Sequence, residues 1–123
     1  MKTQLRGTLS APAEARRFVL SAMRKLRGHV TRPDTDDIVL VVSELVTNAV
    51  RADAAVIGLS LVVEDKHIRL EISDDAEGWP TPRRAGADDL SGRGLAIVDE
   101  LADRWTTTEL RPGKRVTVTW YRG

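Results

Sequence analysis

The 123-residue sequence contains no cysteine, which excludes disulfides, thiolate catalysis and cysteine-ligated zinc and fits a reducing compartment. No apolar run approaches the roughly 20 residues of a membrane-spanning helix, and the first residues, Met1-Lys2-Thr3-Gln4, lack the apolar stretch of a secretory signal. A cytoplasmic location without membrane contact is expected. Nor does one charge dominate. The 19 Lys and Arg residues stand against 18 Asp and Glu, leaving no basic footprint for direct nucleic-acid or anionic-membrane binding. What is present, 41% hydrophobic and 30% charged residues, is the composition of a packed globular protein, and the length suits a single domain over 1–123.

Periodicity along the chain predicts an α+β fold. Leu5 and Leu9 flank Gly7 in a short edge-strand candidate, and Ser10 before Pro12 reads as the start of a helix. Ala15, Phe18, Val19, Ala22, Met23 and Leu26 then recur on one helical face, with Gly28 as the stop. A second helix is expected after Pro33, capped by Asp34, with Ile38, Val41, Val42, Leu45, Val46 and Ala49 as its buried stripe. Glu44, Asn48 and Arg51 make a polar stripe bordering that core. Residues 55–63 and 67–74 read as one hairpin, and residues 104–110 and 114–121 as another around Pro112-Gly113, with Val116, Val118 and Trp120 on one face. Between them, residues 75–94 are rich in Gly and Pro and read as a loop, followed by a short helix through Leu95, Val98 and Leu101. The sum is a two-layer α/β sandwich: a mixed, mostly antiparallel sheet with helices on one face.

Three short motifs carry chemistry. In Ser43-Glu44-Leu45-Val46-Thr47-Asn48-Ala49 a carboxylate and a carboxamide lie one helical turn apart, a general base beside an oxygen ligand for Mg²⁺. In Glu71-Ile72-Ser73-Asp74-Asp75-Ala76-Glu77-Gly78 a strand-end carboxylate precedes a glycine, a pairing that can accept from an adenine amino group while backbone approaches the base. In Ser91-Gly92-Arg93-Gly94-Leu95 glycines open a helix, where free N–H groups and the helix dipole favour phosphate. Each alone is equally a solvated helix face, a strand-to-loop junction or a flexible loop. His29 and His67 are isolated and read as surface residues, and Trp79, Trp105 and Trp120 as packing residues, Trp79 lying in the loop that follows Asp74.

In this order and over residues 10–121 the three motifs resemble the nucleotide-binding boxes of the GHKL (Bergerat-fold, HATPase_c) superfamily, and most closely the RsbW/SpoIIAB-like anti-sigma-factor serine kinases. The resemblance implies Mg-ATP as ligand, with Glu44 as catalytic base, Asn48 as Mg²⁺ ligand and Asp74 as adenine reader. It assigns Gly78 to the bend beside the base and Gly92, Arg93 and Gly94 to the phosphate lid. It also implies phosphorylation of a serine on an anti-anti-sigma (STAS-domain) partner, sequestration of a sigma factor and hence transcription regulation, and a possible homodimer. Three positions depart from the family pattern: Ala76 stands for a glycine, Ala52 for a histidine and Arg115 for a threonine, with Thr117 as its substitute for ATP binding. These departures keep a non-catalytic ATP-binding anti-sigma or adaptor protein open as the alternative. A detached histidine-kinase-like catalytic domain is a second one.

Overall fold

The computed structural model describes residues 1–26, 35–77 and 95–122. In chain order they form strand β1 (Lys2–Arg6), helices α1 (Ala11–Lys25) and α2 (Thr35–Arg51), and strands β2 (Val56–Val63), β3 (His67–Asp74), β4 (Arg104–Glu109) and β5 (Lys114–Tyr121). Residues 95–101 are helical as well. The five strands make one sheet in the order β1-β2-β3-β5-β4, and every pairing is antiparallel. The expected two-layer sandwich is therefore present, and among the described residues no parallel pair makes the sheet a mixed one.

Alternation along the strands decides which face is covered. Ile57, Leu59 and Leu61 on β2, Ile68, Leu70 and Ile72 on β3, and Val116, Val118 and Trp120 on β5 are all buried. They share one face by the two-residue period of the pleat, and α1 and α2 pack there against each other, with α1 also reaching β1 and β2 and α2 reaching β3. The buried residues of α2 are the six of its expected stripe, from Ile38 to Ala49. Trp120, fully buried, donates its indole N–H to the Leu101 carbonyl at 2.9 Å, and Trp105 donates to Asp99 at 3.0 Å. Both bonds fix the helical residues 95–101 to the sheet, and Trp120 satisfies a carbonyl that the end of the helix leaves free.

Local sequence explains the element ends. Ser10 stands at the N-cap of α1 without the side-chain-to-backbone bond expected of it; its hydroxyl donates instead to Glu14 at 2.8 Å. Helix α2 ends in a Schellman motif: Ala54 N–H bonds Ala49 O at 3.1 Å, and Asp53 N–H bonds Val50 O at 3.0 Å. Asp53 takes the left-handed conformation (φ 64°), which Asp tolerates better than most residues. Ala49 and Ala54, both buried, supply the apolar contact that accompanies such an ending. The stops expected at Gly28 and the cap expected at Asp34 lie outside the described residues. Among the described residues no helix is long and apolar enough to cross a membrane.

Candidate functional site

Two tethers bring the chemistry-bearing ends of α2 and β3 together. The connection after α2 runs straight into β2, whose first residues pair with the last of β3: Ile57 lies opposite Asp74. Asp75 then accepts from the backbone N–H of Ala55 at 2.8 Å and of Val56 at 3.1 Å, so the residue after Asp74 fastens the loop that follows α2. Asn48 and Glu44, one and two turns before the end of α2 and both half-buried, are thereby carried to the Asp74 end of the sheet. Arg16 on α1 donates to Ser43 at 3.0 Å, which fixes the rotation of α2 next to Glu44.

The N–H groups of Val56 and, more weakly, Ala55 and Asp75 itself hold the Asp75 carboxyl below its ordinary value of 3.8, against an opposing push from burial. A lowered folded-state pKa means that the unfolded chain binds the proton first. The stabilisation is complete above the ordinary carboxylate value and disappears as the pH falls through the lower folded one. Asp75→Ala is expected to lower the melting temperature at neutral pH, and the difference from the parent should shrink as the pH drops from about 5 to about 2. A difference independent of pH would show that the clamp does not depend on charge.

Asp74 is the one buried charged residue among those described, with 3% of its side chain exposed. It shares the covered face of β3 with Leu70 and Ile72. One oxygen accepts the Ala76 N–H at 3.0 Å, and the other takes the ammonium of Lys114 at 2.8 Å. Lys114 is the register partner of Asp74 on β5 and is itself only 14% exposed. Ala76, where a glycine was expected, is buried, and its backbone N–H orients the carboxylate.

The expectation for Thr117 needs correction. Thr117 pairs with Glu71 and Thr106, and its strand neighbours Val116 and Val118 are buried. It therefore occupies the open face of the sheet, opposite to Asp74. Arg115 is on that open face too, opposite Ser73 and 3.7 Å from the Glu71 carboxylate. The residue of β5 that meets Asp74 is Lys114, one position earlier than Arg115. Period two already implied this, because Lys114 has the parity of Val116, Val118 and Trp120. Ala52 is exposed in the turn after α2. Gly78, Trp79, Gly92, Arg93 and Gly94 lie outside the described residues. His67 sits in the β2–β3 hairpin 3.3 Å from Glu64, and the described residues hold no cluster of metal-binding side chains.

A five-stranded antiparallel sheet backed by helices, with a buried aspartate at a strand end, defines a two-layer α/β sandwich. The same fold occurs in the crystal structure of the RsbU and RsbW domains of Rv1364c from Mycobacterium tuberculosis, with a TM-score of 0.70 at 19% identity. That match covers 99% of this chain and 32% of the other, so the chain spans about a third of that protein's length. Residues 5–120 match the histidine kinase-like ATPase domain, and the chain belongs to that family within the GHKL superfamily. No curated protein matches it in sequence. A domain of this family implies ATP as the ligand. The site fits such a ligand, because the Asp74 oxygens keep unused lone pairs at a buried strand end, where an amino donor of a base can be held.

Proposed function

We propose that the protein is an ATP-binding anti-sigma factor and serine protein kinase, which phosphorylates a STAS-domain anti-anti-sigma partner and thereby controls a sigma factor. The observation that carries the nucleotide part is the buried Asp74 carboxylate, whose neighbour Asp75 fastens the connection that follows the helix bearing Glu44 and Asn48. Asp74 accepts from the adenine amino group. Asn48 offers its amide oxygen to Mg²⁺, a cation that neutralises phosphate charge when bound. Glu44, one turn away on the same helix face, orients the serine hydroxyl and takes its proton. Gly92, Arg93 and Gly94 hold the phosphates through backbone N–H groups and the guanidinium, and Gly78 lets the backbone approach the base.

Incubation of the protein with labelled Mg-ATP and candidate STAS-domain proteins tests the transfer step, and label on a STAS serine is the expected result. ATP binding without transfer to any of them would favour the second reading, a nucleotide-binding anti-sigma or adaptor protein, which the departures at Ala52, Ala76 and Arg115 support. Asp74→Asn is expected to weaken ATP binding about tenfold or more, since a hydrogen bond to a charged group is worth about 1.5–3 kcal/mol. Calorimetric titration reads this directly; unchanged affinity would remove Asp74 from the base site.

A further inference from the structure

The sequence offered no partner for Asp74, yet the structure sets Lys114 against it. Lys114 Nζ lies 2.8 Å from one carboxylate oxygen, and 14% of the lysine side chain remains open. An ammonium carries three N–H donors, and the Asp74 oxygen is the only acceptor for this one among the described residues. Asp74 likewise retains lone pairs after accepting from Ala76 and Lys114. A buried ion pair recovers its desolvation cost only when its remaining protons and lone pairs find partners, so this pair is an incomplete one. It presents an acceptor and a donor side by side.

A ligand complementary to such a pair carries a donor next to an acceptor on one edge. Adenine does: its amino group adjoins a ring nitrogen with a free lone pair. We propose that Lys114 is a base-reading residue that donates to the ring nitrogen beside the amino group held by Asp74. The inference rests on the nucleotide reading of Asp74 and adds a second determinant from β5. Lys114 thus acts on the base, far in role from the phosphates that a lysine in a nucleotide site usually serves.

The test is titration calorimetry of the protein with ATP, 1-deaza-ATP and 7-deaza-ATP, each analogue lacking one ring nitrogen and keeping the amino group. One of the two analogues is expected to bind the parent about tenfold more weakly than ATP. Lys114→Met is expected to bind ATP about as weakly as that analogue and to distinguish the two no longer. Equal binding of ATP and both analogues by the parent overturns the inference, as does undiminished discrimination by Lys114→Met. Because Met leaves Asp74 unpaired in the interior, Lys114→Gln serves as the second variant. It keeps a neutral donor and should retain part of the discrimination, and the comparison within the parent needs no variant at all. Failure of the nucleotide reading looks different: ATP and both analogues then fail to bind the parent, which overturns both.

Discussion

Glu44→Gln is expected to lower the proposed phosphotransfer to a STAS partner by about a hundredfold or more while Mg-ATP affinity stays near that of the parent. The expected separation follows from what the substitution removes. Gln keeps the length and the helix propensity of Glu but cannot take a proton, and general-base assistance contributes about 10²–10⁴-fold in rate without being needed for ground-state binding. Glu44 is half-buried beside the core stripe of α2, and Ser43 next to it is held by Arg16, so the isosteric change leaves the packing of the helix alone. Single-turnover transfer and calorimetric affinity, measured on the same preparation, check both halves. Transfer at the parental rate would show that Glu44 is not the base.

Gly113→Ala is expected to have the largest effect on stability. Gly113 sits at φ +93°, and a Cβ there would overlap the carbonyl oxygen of Asp74 and stand 2.7 Å from its carbonyl carbon. Left-handed backbone costs an ordinary residue about 1–2 kcal/mol. The overlap is with backbone, which cannot swing aside, so the total should exceed about 3 kcal/mol, in the upper tail of single substitutions. Gly58→Ala is the matched control. Its Cβ would meet only the Ser73 hydroxyl, at 2.6 Å, and that group can rotate. Urea unfolding should rank Gly113→Ala well below Gly58→Ala, and equal midpoints would refute the close-approach argument. Because Gly113 abuts Asp74 and directly precedes Lys114, the surviving folded fraction should also bind ATP less well.

Much of this architecture was legible in the residues themselves. The strand limits of both hairpins follow from two-residue alternation broken by Glu64-Asp65-Lys66 and by Pro112-Gly113, and the stripe from Ile38 to Ala49 follows from helical period. Asp74 was legible as a strand-end carboxylate. Its lysine partner follows only from strand parity: Val116 and Val118 place Lys114, not Thr117, on the covered face, whereas the hydroxyl of Thr117 is the more obvious ligand by residue type. The Asp75 clamp was not legible at all. Its partners are backbone N–H groups 19 and 20 residues away, which carry no side-chain signature. The pairings of β1 with β2 and of β3 with β5 were likewise beyond reach, since pattern fixes which face is apolar but not which distant strands are neighbours.

The strand order also has a kinetic consequence. Strands β2 and β3 are joined by a three-residue turn, as are β4 and β5 nearly so, and such pairs close on the microsecond scale. Strand β1 pairs with β2 only after a chain excursion through both helices, Leu5 meeting Ile57. Loop-closure entropy makes that contact late, as it does the pairing of β3 with β5, which brings Asp74 to Lys114 across a chain of similar length. The strand end that carries Asp74 thus takes shape from the β2–β3 hairpin, before the outer edge of the sheet is complete.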